Sequence, residues 1–201
     1  TYSYFRIVTE IMGGQMINID RKNDFSDDIE KIIKTASEEN VKIIFLCNPN
    51  NPTGNESTLE DIEFLLSLNK ILVVDEAYFE FSKSSYANLV EKYNNMIVIR
   101  SMSKWAGLAG LRVGYGLMSK ELAKLFMGVK NPYNVSTVAE ESLIVSLKYS
   151  LKSKTKPKAV STNGPIFGFL YFFSLSNSFL FAIQKRNKLK TECKNGNCSP
   201  W

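Results

Sequence analysis

Helical rhythms of apolar residues alternate with short, uninterrupted apolar runs along most of the chain. Phe5, Val8, Ile11 and Met12 recur at helical spacing over 4–12, and Gly13-Gly14 supplies a stop. A strand is expected over 15–19. Asp27 and Asp28, after Ser26, favour a helix start, and Ile29, Ile32, Ile33 and Ala36 then form one apolar stripe, read as core. Residues 41–46 have the pattern of a parallel strand buried on both faces. Ser57 to Glu60 reads as a capping box opening a helix to about Leu68, and 70–74 as the next buried strand. A β-branched run from Ile97 ends at Arg100 and resumes beyond a glycine-rich connection. Past Gly116, Ser119 caps a helix to about Met127, and a last helix covers 138–147.

Strand and helix alternating from Gln15 to Arg100 with short connections predict an α/β fold: a mostly parallel sheet with right-handed crossovers and helices on both faces. The loop 48–54, Asp75 and the turn 101–104 each follow a strand. All three therefore fall on the carboxyl edge of one sheet, where such sheets bind ligands.

Composition narrows the chemistry. The 201 residues are 44% hydrophobic, enough for a substantial core in one or two globular domains. There is no histidine, which excludes serine-histidine triads, histidine-ligated zinc and imidazole acid-base catalysis. Cys47, Cys193 and Cys198 make no even disulfide framework, so a reducing compartment, the cytoplasm, is expected. The Asn55 and Asn134 sequons carry no weight without a secretory signal. No basic, apolar leader opens the sequence, which instead starts inside what resembles a motif; a fragment of a longer protein is expected, with an organellar address open if a preceding segment is a transit peptide.

Chemistry concentrates around Lys104. Ser101, Ser103, Lys104 and, eight residues on, Arg112 combine hydroxyls, an ammonium and a guanidinium, a set suited to a phosphate with the lysine left for covalent work. Neither a P-loop nor a Gly-x-Gly-x-x-Gly fingerprint is present. Alone, a lysine after a serine turn is as readily a solvated surface residue. The loop 48–54, with three asparagines and two prolines, is alone a mere turn before a helix, although Pro52 holds Asn51 extended and gives its amide a fixed direction. Glu76 and Glu80 are read as structural or solvated, and Trp105 as packing.

Four stretches in order, N-P-N-N-P-T-G (48–54), V-V-D-E-A-Y-F-E-F (73–81), S-M-S-K-W-A-G-L-A-G-L-R-V-G-Y-G (101–116) and P-Y-N-V-S (132–136), resemble a pyridoxal-phosphate aminotransferase of the aspartate-aminotransferase fold, class I/II. They look most like its histidinol-phosphate branch, over about 1–149. The resemblance implies pyridoxal 5'-phosphate as cofactor, with Lys104 holding its aldehyde as a Schiff base and Asp75 facing the pyridine nitrogen. It further implies Asn51 and Tyr78 on the phenolic oxygen, Ser101, Ser103 and Arg112 on the phosphate, and Tyr2 stacked on the ring. A buried carboxylate there keeps the ring nitrogen protonated, so that the ring can accept electrons. Lys104 would move the substrate proton, its basicity lowered by desolvation and by the Arg112 charge.

The implied function is transamination between histidinol phosphate and 2-oxoglutarate by a homodimer acting on small amino-acid-like and 2-oxo acid substrates. A threonine-phosphate decarboxylase of the same fold shares Lys104, Asp75 and Arg112, and an inactive fragment serving as a dimerisation module is the reading from another class. The family's substrate-carboxylate arginine, its glycine-containing helix start and its dimer-crossing tyrosine have no match in this sequence.

Residues 1–150 form the cofactor-domain portion, and 151–201 an atypical tail. From Lys152 onward nine Lys or Arg face one acid, against sixteen and nineteen before it, so the tail supplies the whole +5 net charge. An uncharged Phe-, Leu- and Ser-rich run, 159–184, lies between two basic clusters. Asn163, Gly164, Pro165 and several serines argue against a membrane span. Its aromatics cluster apart from the basic residues, against a nucleic-acid surface. A tail foreign to the family, from a misplaced splice or reading frame, is expected, with its apolar run unpartnered.

Overall fold

The computed structural model describes residues 2–82, 84–130 and 134–152. The expectations for the tail fall on 153–201 and lie outside the described residues. A four-stranded sheet has the order β1 (Ile43–Cys47), β2 (Ile71–Asp75), β3 (Met96–Ser101) and β4 (Gly114–Met118). The first three are parallel, with Cys47 opposite Asp75 and Asp75 opposite Ile99, whereas β4 runs antiparallel to β3. Mostly parallel is thus the observed arrangement.

Alternate residues feed two cores, as expected of strands buried on both faces. On one side Ile44, Leu46, Leu72, Val74, Met96 and Val98 pack with Ile62, Leu65 and Leu66 of α3 (Leu59–Ser67) and with Ala36 of α2 (Ile29–Glu38). Leu65 and Leu72 have no exposure; burying each such side chain contributes about 1.5–3 kcal/mol. On the other side Val73 and Ile97 meet Ala123 of α4 (Lys120–Val129), and Phe5 of α1 (Tyr4–Ile11) stacks on Phe45 with ring centres 4.5 Å apart. A third cluster joins Met102, Val113 and Tyr115 to Ala139 and Leu143 of α5 (Thr137–Lys152), and Trp105 packs against it. Among the described residues no helix is long and apolar enough to cross a membrane.

Three expectations need correction. No strand forms over 15–19, where Ile17 is 41% exposed and no neighbouring strand offers a ladder; β-propensity without a partner surface does not hold a strand. The capping box lies one residue later than read: Thr58 Oγ1 accepts from Asp61 N and Asp61 Oδ2 accepts from Thr58 N, both at 3.1 Å. Ser57 is already engaged, its amide donating to Asn48 Oδ1 at 2.7 Å and its hydroxyl to Asp27 Oδ2 at 2.7 Å. Finally, among its described residues the β2-to-β3 crossover carries no α-helix, only the short 3-10 turns Phe79–Phe81 and Ala87–Glu91. Glu76 explains this, because its carboxylate accepts from Ser85 Oγ and Tyr86 N and draws the chain back toward the sheet.

Candidate active site at the carboxyl edge

The parallel strands end together. Asn48 N donates to Asp75 O at 2.9 Å and Glu76 N to Ile99 O at 2.8 Å, so the ladder runs one step beyond β1 and β2 and fixes the start of both loops. Asp75 closes β2 half-buried, and its Oδ1 accepts a hydrogen bond from Ala77 N at 2.9 Å. Burial foremost, with Glu76 adding to it, pushes the carboxyl up to about 6 despite that amide. A cation placed opposite would reverse the shift.

Tyr78 precedes the first 3-10 turn, and the Lys104 ammonium lies 5.1 Å from the centre of its ring. Ser101 ends β3, and its Oγ accepts from Ser103 N at 3.1 Å, which folds the chain into the turn that presents Lys104. Lys104 is exposed, so the desolvation expected for it is not supplied by the described residues. Arg112 occupies the left-handed region (φ 53°), where a non-glycine side chain is uncommon and costs of order 1 kcal/mol or more. Its Nη1 donates to Ala109 O at 2.5 Å, while its buried Nε has no partner among the described residues.

Tyr2 stands edge-on to Phe5, with ring centres 5.4 Å apart. Its hydroxyl is shifted upward by burial first and by Asp75, while Arg112 and Lys104 pull it down. Tyr2 is thus within electrostatic reach of Asp75, Lys104 and Arg112, and Lys104 in turn contacts Tyr78. Ser101 and Ser103 share the edge by their place on β3 and its turn, and Asn51 by its exposed position on the loop leaving β1.

Several residues near the site were not singled out from the sequence. Arg21 pairs with Asp27 at 3.0 Å and donates to Cys47 O at 3.4 Å, while Asp27 holds Ser57; this strap fastens the 13–28 segment to the asparagine loop. Glu76, read as structural or solvated, is fully buried against Arg100, with Nη2 to Oε2 2.8 Å. An arginine closing an apolar run and a glutamate directly after Asp75 were the available signals. Glu80 is 9% exposed, and neither carboxylate oxygen has a partner among the described residues.

The family model described as aminotransferase class I and II matches residues 1–162. The chain belongs to the class I and II aminotransferases. It is 43% identical over 148 residues to the histidinol-phosphate aminotransferase of Methanococcoides burtonii, covering 73% of this chain and 41% of that protein. The chain therefore spans about two fifths of the length of such curated relatives. Among solved structures, histidinol-phosphate aminotransferase from Clostridium acetobutylicum superimposes with TM-score 0.68 at 30% identity, covering 74% of this chain and 46% of that one. The Sinorhizobium meliloti enzyme, solved in complex with pyridoxal-5'-phosphate, gives 0.67 at 27%, covering 73% and 41%. These solved structures match the α/β class of the fold. The family match continues to residue 162, past the Tyr149 limit of the motif resemblance.

Proposed function

We propose that this chain carries the cofactor-binding portion of a pyridoxal-phosphate aminotransferase, and that the whole protein moves an amino group between histidinol phosphate and 2-oxoglutarate. The observation that carries the reading is the 5.1 Å approach of Lys104 Nζ to the Tyr78 ring at the sheet edge where Asp75 and Ser101 end their strands, in a chain 43% identical to a histidinol-phosphate aminotransferase. The residues present fit the cofactor. Asp75 is a carboxyl raised to about 6 with a backbone amide as its described hydrogen-bond donor, suited to a ring-nitrogen cation. Arg112 keeps a buried Nε without a partner among the described residues, next to Val113, which pairs with Met102 of the hydroxyl-bearing turn, and so suits a phosphate.

When bound, pyridoxal phosphate supplies an electron sink for the substrate's Cα. Lys104 Nζ would hold the cofactor and, once the substrate amine had displaced it as a free amine, would accept the Cα proton and return it as general base and acid. Asp75 would hold the ring nitrogen in its protonated form. Asn51 and Tyr78 would hold the phenolic oxygen, Ser101, Ser103 and Arg112 the phosphate, and Tyr2 would pack on the ring. A homodimer in the cytoplasm or an organelle, with small amino and 2-oxo acids as substrates, completes the proposal.

The test is to mix the purified chain with pyridoxal phosphate, reduce with borohydride and locate the modified lysine by mass spectrometry. Label on Lys104 supports the reading. Label scattered over surface lysines, or none, overturns it for this chain and leaves a dimerisation module, which sedimentation without cofactor would reveal.

A further inference from the structure

Directly behind the proposed cofactor site lies a buried charge cluster that the motifs do not explain. Arg100 donates to Glu76 Oε2 twice, from Nε at 3.0 Å and from Nη2 at 2.8 Å, and the two side chains are only 3% and 0% exposed. Ser85 Oγ accepts from Arg100 Nη2 at 2.7 Å and donates to Glu76 at 2.9 Å from Oε2, while Glu76 Oε1 accepts from Tyr86 N at 2.7 Å. The guanidinium lies over the Phe79 ring at 3.5 Å, and its Nη1 reaches Tyr115 Oη at 3.4 Å. Every oxygen of Glu76 and every nitrogen of Arg100 is thereby engaged, the condition under which a buried pair holds one geometry rather than merely costing desolvation.

The position of the pair in the chain gives it a role. Glu76 follows Asp75 and Arg100 precedes Ser101, so the ion pair bridges the last residues of β2 and β3 just where both turn into the site. Asp75 and the Lys104 turn hang from opposite ends of this bridge. We infer that Glu76 and Arg100 are positioning residues for the cofactor site, a cross-strand clamp that sets the spacing between the Asp75 carboxyl and the Ser101–Lys104 turn.

The inference rests on the cofactor-site reading, yet the clamp is readable without cofactor. Glu76, Cys47 and Tyr2 are the titratable groups that interact with Asp75, and Glu80 and Tyr115 are those beside the clamp. The experiment compares wild type, Glu76→Gln and the milder Ser85→Ala, both outside the cofactor-contacting set. In the cofactor-free chain, NMR titration of the Asp75 carboxyl and hydrogen exchange at the Ser103 amide are measured. Removing the Glu76 charge should lower the Asp75 midpoint, and exchange at Ser103 should quicken by about tenfold, the size of one charge-assisted hydrogen bond. Ser85→Ala should move Ser103 exchange in the same direction by less and leave the Asp75 midpoint in place.

If Glu76→Gln does not fold, Ser103 exchange in Ser85→Ala decides. An unchanged Asp75 midpoint in a folded Glu76→Gln, or Ser103 exchange that rises no more than amides of α3 in either variant, overturns the clamp. Borohydride labelling of wild type is run alongside. Absence of Lys104 label together with the expected titration and exchange results would sink the cofactor reading while leaving the clamp between Asp75 and the turn intact. Label in wild type with no response in either variant would do the reverse.

Discussion

Lys104 Nζ stands 5.1 Å from the centre of the Tyr78 ring, joining the turn after β3 to the loop after β2. The contact needs a cation, whereas the proposed chemistry needs a primary amine, and one substitution separates them. Lys104→Arg should fold as wild type, within about 0.5 kcal/mol in denaturant melts, because the site is exposed and the charge is kept. It should lose the borohydride label entirely. Retention of site-specific label elsewhere would remove Lys104 from its role.

Arg112 combines a charged fork with a left-handed backbone. Arg112→Ala should weaken pyridoxal phosphate binding by about 1.5–3 kcal/mol, roughly one to two decades in affinity, by fluorescence titration. Arg112→Gly should lose the same affinity while relieving the φ of 53° and melting higher than the alanine variant. Equal melting of the two would show that the backbone there is unstrained.

Glu80 gives a pH signature. Burial pushes its carboxyl from 4.5 up to about 8, with neither oxygen partnered among the described residues. The folded value exceeds the unfolded one, so the group's contribution to stability is fully present below about 4.5 and is lost as pH rises through about 8. Asp75 acts similarly but is spent by about 6. Glu80→Gln should therefore gain on wild type between pH 6 and 8, by up to about 1.4 kcal/mol per pH unit. Parallel stability curves across that window would show that Glu80 is already ionised.

Gly114 begins β4 where it crosses close to β3: a Cβ there would lie 2.5 Å from the Arg100 carbonyl oxygen, a backbone atom that cannot rotate away. Gly114→Ala should cost about 1–3 kcal/mol in unfolding experiments. Because the strain falls on Arg100, Ser103 exchange should quicken as well. A neutral substitution would mean that the strands can part without consequence.

Much of this fold is legible because its strands are buried on both faces. Leu72, Val73 and Val74 all need apolar partners, so the run declares itself without periodicity. The site could be placed because Asp75 and the Ser101–Lys104 turn each end such a run, which fixes their edge before any distance is known. Side-chain competition was less legible. Ser57 and Thr58 are equally good caps locally, and only Asp27, thirty residues away in sequence, removes Ser57 from the choice. The antiparallel direction of β4 likewise depends on how 102–113 folds back, which spacing does not reveal. Arg100 and Glu76 each resemble surface residues in composition, and their pairing depends on a strand register visible only in three dimensions.

The antiparallel return of β4 means that the segment carrying Lys104 leaves and re-enters the sheet on the same edge, pinned where Met102 N donates to Val113 O at 3.1 Å. Met102 and Val113 are buried with α5, away from the strand faces that hold α2 and α3. The lobe between them is a closed loop held at three places: by that ladder bond, by Trp105, Leu108 and Leu111 against the α5 cluster, and by Lys104 on the Tyr78 ring. Ser103, Lys104 and Arg112 are therefore carried on one closed loop, and their mutual spacing is tied to the register of β3 against β4.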